Sequence, residues 1–330
     1  MSEQSISQRT RWGILATGGI ATAFVQDLKT MPDAEIVAVG SRSAESARAF
    51  AGKHDIPRAY GSWRELADDA DVDVVYVATP HSAHYAATRI LLEAGRAVLC
   101  EKPFTLDLST TVELIDLARD RGLFLMEAMW MRCNPSVLRV VELIRDGAVG
   151  EVTSVHADFG VVGPFEPGHR MRARELGGGA LLDLGVYPVS FAHLILGMPE
   201  HVRAWAKIGP EGTDENTGII FGYESGALAA LTSGMLGQTT LGATISGTKG
   251  RIVLDPPFFR PDRFTLHREG AEAEVVDVPR DGLGYRYEAA EVQRCLRAGL
   301  AESPLVPHAA TIQVMELLDE IREQIGVSYE

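Results

Sequence analysis

The sequence predicts a doubly wound α/β domain followed by an α+β domain with a large, mostly antiparallel open sheet. Three observations carry this. Residues 11 to about 130 alternate short apolar strands with helical stretches. The strands there are nearly continuous in apolar residues, as parallel strands buried on both faces must be. From Glu151 the rhythm changes to strand-like runs joined by short Gly, Pro and Asp turns. A length of 330 residues is long for one core, and the domain boundary is placed between 131 and 132.

The first unit is the stretch Arg11 to Ala21. A strand, Trp12 to Leu15, enters a turn of small residues and then a helix from Ile20 to about Met31. Ala16, Gly18 and Ala21 keep the spacing of the dinucleotide fingerprint G-x-G-x-x-G/A. Gly18 lets the backbone approach a pyrophosphate, and Ala21 lets the helix pack close to the strand. Thr17, Gly19 and Ile20 complete a helix N-terminus whose N–H groups and partial positive charge suit phosphates. The first glycine is replaced by Ala16, so the turn is expected to manage without positive φ there.

Glu35 to Ser41 is the next strand and Ala44 to Lys53 the next helix. Ser62 and Glu65 form a capping box opening a short helix. The strand Val72 to Ala78 ends in Thr79-Pro80-His81, and a helix containing His84 runs to Ala94, stopped by Gly95. The strand Ala97 to Cys100 ends in Glu101-Lys102-Pro103. A helix from Leu108 to Arg121 and a strand from Phe124 to Met129 complete a six-stranded parallel sheet with right-handed crossovers. Asn134-Pro135 caps a helix to Asp146 that bridges the halves. Strands then follow at Glu151–Phe159, His201–Ile208, Thr217–Tyr223, Ala227–Ser233, Gly242–Ser246, Arg251–Leu254, Phe264–His267 and Glu274–Val278. One face of their sheet is expected to be covered by helices. Helices Tyr285–Ala298 and Ala309–Ile325 close the chain.

Composition narrows the function. Apolar residues make up 46% and charged residues 23%, ordinary for a globular protein. The charge balance, 31 − 45 = −14, argues against nucleic-acid binding, because no positive field gathers phosphates. No run approaches the ~20 apolar residues of a membrane span. Met1 to Arg9 lacks the apolar core of a secretory signal. Cys100, Cys133 and Cys295 have neither paired nor metal-like spacing, so they read as reduced thiols in a cytoplasmic protein. No His/Cys/Asp cluster has metal-ligand spacing, and no metal is expected.

An NAD site places a carboxylate about 20 residues past the glycines, on the ribose 2′-hydroxyl. Here the second strand ends in Gly40-Ser41-Arg42-Ser43, with no acid at its tip. Arg42 can lie over adenine and donate to a 2′-phosphate, with the Ser41 and Ser43 hydroxyls beside it. One such charge-assisted contact contributes roughly 1.5–3 kcal/mol, a preference for NADP of about ten- to a hundredfold. The expected cofactor is therefore NADP, with NAD the alternative should Arg42 be a solvated loop residue.

Ligands of open α/β sheets bind beyond the carboxyl ends of the strands. Those ends carry Thr79, Pro80, His81, His84, Glu101, Lys102 and the run Glu127 to Arg132. A lysine at such a tip, above a nicotinamide, can polarise a carbonyl or steer an acid/base group. Trp130 and Arg132 either wall this cleft or fill the core, and His84 either lines it or packs. His169 and Arg170 precede a glycine triplet in a Gly/Pro-rich loop, where they meet substrate or solvent.

Three stretches together resemble one family. They are the opening ATGGIA, Glu101-Lys102-Pro103, and Gly177-Gly178-Gly179-Ala180-Leu181-Leu182-Asp183-Leu184-Gly185-Val186-Tyr187. The family is the Gfo/Idh/MocA oxidoreductases. Glu127 to Arg132 and Gly247-Thr248-Lys249-Gly250 also fit. Within it the chain looks most similar to the branch of dimeric dihydrodiol dehydrogenase, NADP-dependent D-xylose dehydrogenase and glucose–fructose oxidoreductase. That branch carries tyrosine where inositol dehydrogenases carry histidine. The resemblance implies hydride transfer between NADP(H) and a hydroxyl or carbonyl carbon of a sugar, polyol or cyclic diol. It assigns Lys102, Asp183 and Tyr187 to catalysis, with a cis Lys102–Pro103 bond. Tyr187 would exchange the proton, its pKa lowered by Lys102. Asp183 would bond a substrate hydroxyl or orient the lysine. In helical backbone Asp183 and Tyr187 share one face, although Gly185 and Pro188 could break that helix. The resemblance also implies a homodimer or homotetramer built through the second sheet. Two other readings stay open: an NAD-dependent glycosidase with transient sugar oxidation, and a non-catalytic NADP-binding redox sensor.

Overall fold

The computed structural model describes residues 9–329. Met1 to Gln8 and Glu330, which include most of the segment read for a secretory signal, lie outside the described residues.

In the first half the strands are β1 (Thr10–Leu15), β2 (Ala34–Gly40), β3 (Arg58–Tyr60), β4 (Val74–Val77), β5 (Ala97–Glu101) and β6 (Leu125–Ala128). The helices are α1 (Gly19–Leu28), α2 (Ala44–His54), α3 (Trp63–Ala67), α4 (His84–Glu93) and α5 (Leu108–Arg121). Among the described residues the sheet has six strands in the order β3-β2-β1-β4-β5-β6, every pair parallel. All four residues of β4 are buried, and separate apolar clusters cover the two faces. This is the Rossmann arrangement, with the chain reversing its winding beside β1. The sequence placed five of these strands. It did not place β3, a three-residue edge strand whose side chains are all half-buried.

The local chemistry explains the boundaries. Asp107 caps α5 by accepting from Thr110 N at 2.8 Å, and Gly122 ends it with φ 63°. Ser62 accepts from Glu65 N at 3.2 Å, while Glu65 Oε2 accepts from Gly61 N at 2.9 Å. α6 (Pro135–Arg145) starts at proline, with Asn134 Oδ1 accepting from Ser136 N at 2.9 Å and Val137 N at 3.3 Å.

In the second half, β7 (Val152–Gly160), β8 (His201–Ile208), β9 (Asp214–Gly222), β10 (Leu228–Gly234), β11 (Ala243–Gly247), β12 (Gly250–Leu254), β13 (Arg263–Arg268) and β14 (Glu274–Asp277) form a second sheet. Its order is β14-β13-β12-β11-β7-β10-β9-β8, antiparallel except for β7 with β10. α7 (Val186–Leu196) and α9 (His308–Ile325) pack on one face. The opposite face exposes Trp205, Ile220 and Leu228, which share it by register.

α8 (Arg286–Arg297) and α9 return to the first domain. Asp27 of α1 accepts from the main-chain N–H groups of Leu283 and Tyr285 at 2.7 and 2.8 Å. Thr311 Oγ1 donates to Glu127 Oε2 at 3.0 Å, and Leu125 N donates to Ala301 O at 3.1 Å. One stretch, Arg174–Leu196, is long and apolar enough to cross a membrane, contrary to the expectation that no run approaches this. It is mostly buried within the fold, so its apolar character belongs to a core helix.

Candidate active site

A cavity of about 520 Å³ runs along the carboxyl ends of the parallel strands and reaches the start of α7. Its far end begins at the first turn. Ala16, Thr17, Gly18, Gly19 and Ile20 line it, while Ala21 is fully buried and packs α1 on the sheet. The N-cap of α1 is Gly18, and no side chain caps its free N–H groups. A Cβ built on Gly18 or Gly19 would meet nothing within 4 Å. Open space beside uncapped helix N–H groups is what a pyrophosphate needs.

One expectation for this turn is overturned. Ala16 has φ 98°. Its N–H reaches Gly40 O at 2.9 Å, and Ala78 N reaches Leu15 O at 2.9 Å. These bonds fix both sides of the turn in the left-handed conformation a glycine would normally supply.

Ser41 and Arg42 line the same end of the cavity. Arg42 is exposed and has no ion-pair partner among the described residues. No acid stands at the tip of β2. The residues present therefore fit a 2′-phosphate. Ser43 is not in the lining; its hydroxyl accepts from Ser46 N at 3.2 Å and caps α2. Trp63, the first residue of α3, also walls this region. The sequence reading placed the capping box around it but gave Trp63 no part in the cavity.

The near end gathers Lys102, Asp183 and Tyr187. Lys102 follows β5 in a cis Lys102–Pro103 step. Its Nζ donates to Asp183 Oδ1 at 3.0 Å and to the Asp183 main-chain oxygen at 2.7 Å. It also lies 4.9 Å from the centre of the Tyr187 ring. Arg170 donates to Asp183 Oδ2 at 2.9 Å. Burial alone would raise the Asp183 carboxyl; its charged neighbours, Lys102 foremost, instead hold it well below the usual carboxylate range.

Asp183 and Tyr187 share one continuous right-handed run. Leu181–Gly185 form a π turn leading directly into α7, and Val186 N–H bonds back to Leu181 O. Gly185 and Pro188 therefore do not break the helix. The run enters through Gly177 and Gly179, with φ 75° and 122°. A side chain at Gly177 would collide with Leu106 and His81, and one at Gly179 with Asp214. Asp214 itself accepts from Leu181 N at 2.8 Å and fixes the start of the run.

Tyr187 departs from expectation in its acidity. Its phenol is pushed well above 10, chiefly by burial and then by the nearby Glu101 charge. Lys102 lies over the ring, and burial keeps the phenol raised despite it. Trp130 Nε1 donates to Tyr187 Oη at 2.7 Å, which leaves the phenolic hydrogen free to donate elsewhere.

Thr79, Pro80, His81, His84, Glu101 and Trp130 all line the cavity, as the sequence indicated. His84 ties two strand tips together, with Nδ1 2.8 Å from Pro103 O and Nε2 2.9 Å from Thr79 O. Glu101 is buried and accepts from Tyr76 Oη. Two more candidates lie elsewhere. Arg132 sits in the core, donating to Ser190 Oγ at 3.2 Å and His193 Nδ1 at 2.9 Å; the tight turn Trp130–Cys133 aims Trp130 and Arg132 in different directions. His169 accepts from Met171 N at 3.2 Å and closes a surface turn. Among the described residues no group of three or more His, Cys, Asp or Glu could hold a metal ion.

Comparison with known proteins agrees with this geometry. Residues 10–129 match the oxidoreductase family with an NAD-binding Rossmann fold, and residues 137–253 match the GFO/IDH/MocA C-terminal domain. The chain is 37% identical over 328 residues to trans-1,2-dihydrobenzene-1,2-diol dehydrogenase of Homo sapiens, covering 97% of this chain and 98% of that protein. The Xenopus laevis protein of the same name is 39% identical over 332 residues, covering 97% and 99%. A crystal structure of a 3-ketoreductase from Actinomadura kijaniata, in complex with NADP and TDP-benzene, matches with TM-score 0.86 and 27% identity over 96% of this chain and 98% of that one. An aldose-aldose oxidoreductase from Caulobacter crescentus complexed with glycerol shares the fold, with TM-score 0.87 and 24% identity over 96% and 97%. By its paired domain matches and its full-length relatives, this chain belongs to the Gfo/Idh/MocA oxidoreductase family.

Proposed function

We propose that the protein is an NADP-dependent dehydrogenase or reductase acting on a hydroxyl or carbonyl carbon of a cyclic diol, sugar or polyol. The observation that carries this is the convergence of Lys102, Asp183 and Tyr187 at one end of a cavity whose other end is an uncapped helix N-terminus beside Arg42. The relatives named dihydrodiol dehydrogenase and the NADP-bound ketoreductase support the substrate class and the cofactor.

The residues of the first turn, with Ser41 and Arg42, would hold the nucleotide, and the bound nicotinamide would supply the hydride acceptor or donor. Lys102, fixed by two Asp183 oxygens, presents a cation to the reacting oxygen and stabilises negative charge developing there. Tyr187, protonated at neutral pH, gives its proton to that oxygen as a carbonyl is reduced. In the oxidative direction it receives the proton, which needs the phenolate and hence a higher pH. Trp130 holds Oη in place for both directions. Arg170 and Asp183 would bind the polar groups of the substrate.

The open face carrying Trp205, Ile220 and Leu228 supports a homodimer or homotetramer. Three buried, unpaired cysteines support a reducing, cytoplasmic setting. The test is the absorbance of NADPH with a panel of cyclic diols, aldoses, polyols and their ketones. Turnover in neither direction, with nucleotide bound, would overturn the proposal and favour the glycosidase or sensor readings.

A further inference from the structure

His81 lies in the short helical turn after β4, buried at the cavity wall. Its Nδ1 is 2.9 Å from the carbonyl oxygen of Gly177. A carbonyl only accepts, so Nδ1 must carry the hydrogen. Burial pushes the imidazole down to about 3, against the pull of Asp183 and with help from His84 and Lys102. The ring is thus neutral, and Nε2 is left with a lone pair. That lone pair lies 3.6 Å from Asp183 Oδ1. Two acceptors now face each other without a hydrogen between them. Asp183 Oδ1 already accepts one hydrogen bond from Lys102 at 3.0 Å, which leaves it further acceptor capacity. The charged groups around the pair are Lys102 and Arg170, both committed to Asp183, and the buried Glu101 beside Lys102.

We propose that His81 Nε2 and Asp183 Oδ1 form an acceptor pair for the hydroxyl next to the reacting carbon, so that the enzyme selects vicinal diols over simple alcohols. This rests on the placement of the reacting oxygen at Lys102 and Tyr187. Lys102 stands 3.0 Å from Oδ1, a hydrogen-bond length. Adjacent oxygens of a 1,2-diol are spaced on the same scale, so one reaches the lysine while the other meets the pair. The neighbouring hydroxyl supplies the missing hydrogen. A methyl ether or a deoxy carbon brings no hydrogen to His81 Nε2, while Asp183 Oδ1 keeps only its bond from Lys102, and that missing donor is the source of discrimination.

Two measurements test this. The first needs no turnover. Long-range 15N–1H correlation spectra of the full chain read the tautomer of each histidine, and His81→Asn identifies the resonances lost. His81 is expected as the Nδ1–H tautomer with an unprotonated Nε2 at pH 7. An Nε2–H tautomer or an imidazolium would overturn the acceptor pair. The second compares a cyclic 1,2-diol with its monohydroxy analogue. His81→Asn keeps a donor near the Nδ1 position for Gly177 and removes the acceptor. KM for the diol is expected to rise about tenfold, the equivalent of one hydrogen bond. KM for the mono-alcohol and the Kd for NADP are expected to stay within about twofold. Equal losses on both alcohols, or weakened NADP binding, would overturn the proposal. A wild-type enzyme that oxidises neither alcohol would fault the assigned reaction, while the tautomer still decides the state of His81.

Discussion

Ala16→Gly should make the protein more stable, and the size of the gain follows from the backbone. Ala16 sits at φ 98°, where a Cβ crowds the neighbouring peptide. An alanine held there costs about 1–3 kcal/mol. Glycine removes that cost, but it frees the unfolded chain and gives back about 0.5–1 kcal/mol. The net gain is about 1 kcal/mol, or a rise in Tm of roughly 2–4 °C for a unit of this size. The assay is a thermal melt of the nucleotide-free protein, with Ala16→Val as a control. Valine, branched at Cβ, should lower Tm. A glycine variant that melts at or below the wild-type temperature would refute the reasoning. It would mean that the Ala16 methyl, half-buried against the core, packs well enough to offset its conformation.

Four further predictions follow from the site and its surroundings. Tyr187→Phe should lower turnover by about 10²–10⁴ while NADP binds as before, checked by steady-state kinetics and nucleotide titration. Because the phenol is held well above 10, oxidation should climb about tenfold per pH unit between pH 7 and 9. Reduction should stay level over that range; a level oxidation profile would remove Tyr187 as the base. Arg42→Ala should weaken NADP by about ten- to a hundredfold and leave NAD binding within about twofold, measured by fluorescence titration of the reduced nucleotides. Glu127 is buried, and burial pushes its carboxyl from 4.5 up to about 7. The folded state holds the proton more tightly, so ionisation costs stability progressively from ~4.5 through 7, and the full cost, on the order of 3 kcal/mol, is present above that. Glu127→Gln should therefore melt several degrees above the wild type at pH 8 and within about a degree of it at pH 4.5.

The parts of the fold that were legible are those where local and tertiary demands coincide. Val72 to Ala78 is apolar because β4 is buried on both faces, and any sequence filling that place would read the same way. β3 was invisible, since three half-buried edge residues carry no periodicity. The start of β9 was missed for a related reason. Asp214 and Glu215 read as loop, yet both are buried, one fixing the start of the Leu181 turn and the other held by Arg172 and Lys207 at 2.5 and 2.7 Å. Charged residues become strand residues there only because partners distant in sequence satisfy them. At the site, spacing identified Lys102, Asp183 and Tyr187, whose roles depend on position along the chain. It did not separate Trp130 from Arg132, because two residues along a tight turn point to different compartments. Nor did it foresee the acidity of Tyr187, which depends on enclosure.

The return of α8 and α9 to the first domain has a consequence for how the polypeptide matures. The partners of Leu125, Glu127 and Asp27 are synthesised some 170 to 260 residues after them. A nascent chain therefore leaves the ribosome tunnel with its nucleotide fold half-walled, its apolar flank bare until translation is nearly over. Such long sequence separations slow folding and prolong exposure to aggregation. Trimming the last helices should yield insoluble protein and not a free-standing cofactor-binding fragment.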